Sequence, residues 1–366
     1  MIKDGKFGYH EAISIFVITI FIKVFFTSPT MVAKIVGTSG WLMTLISALS
    51  TAFFFTFQYL LLKRFPNMSQ MEINDTVLGN KLGRLLTFFF SAYILIVAGI
   101  DMREFIEVMK VFVLPDSPPS FIMIIFCACI VALCATGLET IARFAKFIVY
   151  IVIGGYILVI LLSIPNFRLY RLFPLFGYGL DKTLITGFLR SSYYGEIALV
   201  GAFAKSLQGS REIKRIGYTS IFLTGILTSS ACLFFNLAFS YITAQEQVSP
   251  MYTLATMVNL GTFLQRVDPI FLFLWNFGTF IEVSVFFYAS MVMFCHVFEI
   301  SDRRPVLLPM TTILFCINLI PKGLNEVSTE LVQSLRTWGW VFYFLPSVLV
   351  LIIAVLRKKK GELNNA

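Results

Sequence analysis

Two apolar segments of this chain, one near its start and one at its middle, are interrupted where a membrane-crossing helix would be smooth. The first, 12–36, contains Lys23 and then Thr27-Ser28-Pro29; the second, 184–207, contains Ser191-Ser192-Tyr193-Tyr194-Gly195-Glu196. Lipid offers no hydrogen bonds, so polar side chains and broken backbone at that depth survive only inside protein or beside a water-filled cavity. Paired breaks at corresponding places in two halves point to a transporter-type binding site.

The rest of the chain supports an all-α membrane protein. Of 366 residues, 58% are hydrophobic and 13% charged, about half the charged share of a soluble domain. Ten spans are predicted at 12–36, 41–62, 85–110, 119–135, 144–164, 184–207, 216–243, 269–298, 306–321 and 338–356. They make one integral-membrane domain with repeats at about 12–164 and 184–356. The alternating segments of a β-barrel are missing. The first segment ends in no small-residue cleavage site and reads as a span, not a leader.

The net charge of +9 reflects topology, not nucleic acid: 18 of the 29 basic residues fall in alternate loops. That bias places both termini in the cytoplasm, which needs an even number of spans. The six cysteines lie within apolar segments without zinc-ligand spacing and read as small core hydrophobes. His10 and His296 have no partner spacing for metal or nucleophile activation, and no phosphate-binding glycine loop occurs. Neither an enzyme nor a cofactor is expected. Between spans seven and eight, Met251, Leu254, Val258, Gly261 and Leu264 recur at helical spacing. They predict an outer amphipathic helix that rests on the membrane or lids a vestibule.

Lys23, Glu196 and Glu282 each fall near the middle of a span. Three such charges facing lipid would cost roughly 8–10 kcal/mol even on a lenient insertion scale. They must face the interior, as a ligand or cation site or as a structural ion pair. Asp101 is the deepest of the charges on span three. Arg103, Glu104, Glu107 and Lys110 read as a solvated, self-neutralising helix face. Tyr193 and Tyr194 adjoin Gly195, where an aromatic face and hydroxyl can close over a ligand.

Several stretches carry a resemblance. They are Ile13-Ser14-Ile15 with Thr27 and Pro29, Arg103…Glu107…Lys110, and Gly137-Leu138 before Arg143. Pro174…Gly177-Tyr178-Gly179, Gly195-Glu196, Arg266…Phe271…Trp275 and a basic tail complete the set. In order and spacing the chain resembles the spore germination permeases, the membrane B subunits of nutrient germinant receptors, within the amino acid–polyamine–organocation superfamily. The resemblance implies a LeuT-like five-plus-five inverted repeat with discontinuous helices 1 and 6, and spans three and eight lining the site.

Ligand contacts are accordingly expected from Lys23, Thr27, Ser28, Asp101, Tyr193, Tyr194, Gly195, Glu196 and Glu282. Where some relatives have Gly-x-Gly at the first break, this chain has Ile22-Lys23-Val24. Capture of a carboxylate by backbone alone is then disfavoured. Lys23 becomes a fixed cation for a ligand carboxylate or in place of a metal ion. The implied role is binding of a small nutrient, an amino acid by family likeness, with signalling to other receptor subunits in the inner spore membrane. A secondary amino acid transporter is the alternative, and a structural scaffold fits the polar breaks less well.

Overall fold

The computed structural model describes residues 5–207, 209–258 and 268–361. Helix α1 (Tyr9–Phe21) passes into a single 3₁₀ turn at Ile22–Phe25, Phe26 is extended, and α2 (Ser28–Val36) resumes. Pro29 fits that restart, because a helix's first turn needs no N–H from it. Next come α3 (Gly40–Arg64), α4 (Gln70–Leu78), α5 (Asn80–Phe112), α6 (Pro119–Ala135) and α7 (Leu138–Ser163). A second broken helix follows: α8 (Leu180–Leu189), a 3₁₀ stretch at Ser191–Leu199, and the short α9 (Val200–Phe203). The chain continues through α10 (Ser210–Ala238), α11 (Tyr241–Ala244), α12 (Pro250–Thr256), α13 (Asp268–Val297) and α14 (Arg304–Leu319). A π-turn at Glu326–Leu331 then leads into α15 (Val332–Leu356).

Each predicted span falls on a helix or a broken helix. Among the described residues, six helical stretches are long and apolar enough to cross a membrane, and α6 and α14 are shorter apolar helices. Large apolar side chains such as Leu49, Phe53, Phe147, Leu161 and Leu356 point outward. In water such a surface would drive association; in lipid it is the solvated face. The tenth helix begins at Val332, earlier than the predicted 338, so Arg336 lies inside it and is buried. Cys129 and Cys316 are exposed on the bundle surface and so depart from the expected core placement.

Helix α1 packs on α7, α10 and α13, and α5 lies along α13, so the two halves interleave around a common centre. Ser91 and Ser290 join α5 to α13 by reciprocal bonds, each hydroxyl donating to the other's carbonyl at 2.8 and 2.9 Å. Small hydroxylated residues allow that close approach between membrane helices. The predicted outer helix is present as α12. Met251, Leu254 and Val258 are buried, and Ser249 donates to the Phe25 carbonyl at 2.8 Å. It therefore covers the first break. Gly261 and Leu264 lie outside the described residues, as do Arg266 and the Phe271 side chain.

On the face where the described chain begins at Gly5 and ends at Gly361, α4 gathers the ends of several membrane helices. Its start is fixed by a capping box between Ser69 and Glu72. Glu72 also pairs with Lys205 beyond α9, and Asp75 pairs with His296 of α13 at 2.8 Å. Lys359 and Arg357 donate to the Thr76 and Val77 carbonyls at the end of α4. Burial alone would raise the Glu72 carboxyl, but the Lys205 ammonium and the Ser69 N–H hold it below its ordinary value. A lowered folded-state value stabilises above the unfolded value and is lost as pH falls through the folded one. Half-exposed pairs contribute about 0–1 kcal/mol. Lys205→Ala should therefore cost under about 1 kcal/mol at pH 7 and nothing in strong acid, as read from thermal midpoints against pH. An equal loss at both pH values would rule the pair out as the cause.

Candidate functional site

The second break is built to sit inside protein. Residue Tyr194 leaves helical geometry (φ −115°, ψ 21°), and carbonyls around it lose their intrahelical partners. Helix α3 supplies replacements from one polar stripe. Ser47 donates to the Gly187 carbonyl at 2.8 Å, Thr51 to Ser191 at 2.7 Å and Gln58 to Ala198 at 2.7 Å. In return, Tyr194 donates its hydroxyl to the Thr44 carbonyl at 3.1 Å. Tyr194 is thereby committed to holding the break against α3. Sequence reasoning missed this stripe, although Thr44, Ser47, Thr51 and Gln58 recur on one helical face of an apolar span.

Gly195 lies in this unwound stretch and is closely approached by another helix. A Cβ there would lie 2.2 Å from the Tyr343 ring on α15. Tyr193 is buried, with the Arg336 guanidinium 5.5 Å from its ring centre. Ser28, on the first turn of α2, is buried beside the Tyr193 hydroxyl.

The charged residues converge between the two breaks. Lys23 forms an ion pair with Glu196, and both side chains are fully buried. Arg336 stands between carboxylates, 3.6 Å from Asp101 and 3.7 Å from Glu196. Glu282 is also fully buried, within electrostatic reach of Lys23, Asp101, Glu196 and Arg336. Among the described residues, neither of its oxygens has a hydrogen-bond partner. Arg336 and Glu104 are the cluster members that sequence reasoning missed. Arg336 fell just before the predicted tenth span, and Glu104 was assigned to the solvated face.

That assignment of span three is corrected by the structure. Arg103, Glu104 and Glu107 are all buried, and Lys110 is partly so. Arg103 and Glu107 do neutralise each other, at 2.8 Å, but inside the bundle. Glu104 turns to the first break, where it accepts from the Thr27 N–H at 3.2 Å and from the Thr27 hydroxyl. The free N–H at the start of α2 is thus met by a carboxylate of the protein itself.

A cavity of about 680 Å³ opens on the face opposite the termini and reaches down to Thr27. Its walls include Thr30, Lys34, Gln245 and Ser328. A second cavity, about 380 Å³, opens on the terminal face among Glu72, Arg84, Lys205, His296 and Glu299. Among the described residues, no three His, Cys, Asp or Glu side chains gather closely enough to hold a metal ion.

Comparison with known proteins fits this arrangement. Residues 8–327 match the spore germination protein family. Spore germination protein KB of Bacillus subtilis is 22% identical over 333 residues, covering 89% of each chain. Spore germination protein A2 of the same organism is 23% identical over 329 residues, covering 87% of each chain. Two solved transporters share the fold. One is a nucleobase-cation-symport-1 family transporter in a closed conformation with bromovinylhydantoin bound. It has a TM-score of 0.63 at 11% identity and covers 92% of this chain and 79% of its own. The other is a substrate-bound, outward-open Na⁺-coupled sialic acid symporter. Its TM-score is 0.64 at 12% identity, with 95% of this chain and 80% of its own covered. With its two broken helices facing each other across a buried charge cluster, the chain belongs to the spore germination protein family and carries the LeuT-like fold of multi-pass membrane transporters.

Proposed function

We propose that this chain is the membrane-embedded, nutrient-binding subunit of a spore germinant receptor. It takes a small molecule, an amino acid by family likeness, from the cavity above Thr27 and signals to partner subunits. On this reading residues 12–164 and 184–356 are the repeats of one domain in the inner spore membrane, with both termini cytoplasmic. The observation that carries it is the cavity of about 680 Å³ ending on Thr27, at the edge of the charge cluster between both breaks. The reading assigns the chain no catalytic chemistry.

A sensor needs only unequal affinity for two states and a partner that reads the difference; a coupling of about 1–3 kcal/mol suffices. Purified protein in proteoliposomes is expected to bind its nutrient with little concentrative uptake, and deletion of partner subunits to abolish germination. The cavities on both faces favour a second reading, a secondary transporter working by alternating access. Gradient-driven accumulation by this chain alone would establish that reading and reject the sensor.

A further inference from the structure

On the receptor reading above, we propose that the charged group this site takes from its ligand is a primary ammonium, seated on Glu282. In broken-helix sites, the start of the resumed half-helix is the natural seat for a ligand anion, because its free N–H groups point at the site. Here that seat is filled from within: the Thr27 N–H and hydroxyl both donate to Glu104. A ligand carboxylate arriving there would meet another carboxylate. The nearby cations are also engaged. Lys23 is paired with Glu196, and Arg336 stands between Glu196 and Asp101. Arg190, the next buried cation, donates to Gln333 at 2.7 Å.

Glu282 is different: it is fully buried and, among the described residues, both its oxygens are unpartnered, with Asp101 and Glu196 and the already engaged Lys23 and Arg336 within electrostatic reach. The carboxylates of the cluster outnumber its cations, so an incoming cation is favoured. A metal ion that needs three His, Cys, Asp or Glu ligands fits poorly, since among the described residues no such three come together. An ammonium brings three donors of its own and needs no such shell.

The test uses full-length protein in nanodiscs, with the thermal midpoint as readout. Free amino acids are each compared with their primary amides, which keep the ammonium and lose the carboxylate. They are also compared with their N-acetyl derivatives, which do the reverse. Free acid and amide should stabilise alike, with the N-acetyl compound weaker by about tenfold or more in half-effective concentration. Glu282→Gln should erase the amide's effect, Glu282→Asp should retain the ammonium preference, and Glu104→Gln should leave the amide's effect in place. An N-acetyl derivative as effective as the free acid, or an amide without effect beside an active acid, would overturn the proposal. So would a Glu282-dependent shift given by sodium chloride but not by N-methylglucamine chloride, which would make the seat a metal site. If neutral sugars or nucleosides stabilise wild type and Glu282→Gln equally, the ammonium proposal falls and the receptor reading stands. If no nutrient class stabilises the protein, both fall.

Discussion

Lys23→Met is expected to lower the unfolding free energy by about 3–5 kcal/mol, the usual cost of removing one partner from a buried ion pair. Both members of the Lys23–Glu196 pair are fully buried. Without the ammonium, the nearest cation to Glu196 is Arg336 at 3.7 Å, which Asp101 also claims at 3.6 Å. The penalty comes from the stranded carboxylate more than from the lost attraction. The double variant Lys23→Met with Glu196→Gln should therefore recover most of the loss, because it leaves no unmatched charge at the pair. Midpoints of the single and double variants in the same nanodiscs decide the matter. A single variant as stable as wild type would show that Glu196 is satisfied elsewhere.

Gly195→Ala is expected to destabilise by about 1–3 kcal/mol, the range for overpacking a filled core, and Gly195→Leu to prevent accumulation of folded protein. The added Cβ would sit 2.2 Å from the Tyr343 ring. That ring is buried and packs edge-on to Tyr93 at 5.3 Å, which leaves it little room to move away. Tyr343→Leu should cost stability alone yet relieve part of the Gly195→Ala penalty when the two are combined. Such non-additivity is the signature of side chains in contact. Strict additivity of the two changes would mean that the glycine serves some purpose other than this close approach.

Local pattern in the sequence was enough to place the helices and their two breaks. Ten apolar runs, the alternation of basic loops, and the interruptions at Lys23–Pro29 and Ser191–Glu196 are all read within short windows. Hydropathy and helix-breaking chemistry act over such windows too, which is why the broken helices fell where expected. The buried placement of Lys23, Glu196 and Glu282 also followed from the cost of charge in lipid, with no knowledge of their neighbours.

Partnership is a different matter. Lys23 meets Glu196, and Asp101 meets Arg336, across large separations in sequence that no periodicity encodes. Arg103, Glu104 and Glu107 looked like a solvated face because their spacing alone permits mutual neutralisation. Only the packing of other elements around α5 buries them, and only the restart of α2 at Ser28 gives Glu104 the Thr27 N–H. Gly195 marked the second break in the sequence, but only the packing shows that the Tyr343 ring of a distant helix excludes a side chain there. The sequence by itself determined which segments enter the membrane and where they break, because those choices depend on each segment's own chemistry. Tertiary structure alone decided which buried charges are paired and that Glu282, among the described residues, has no partner, because pairing depends on how the helices are brought together.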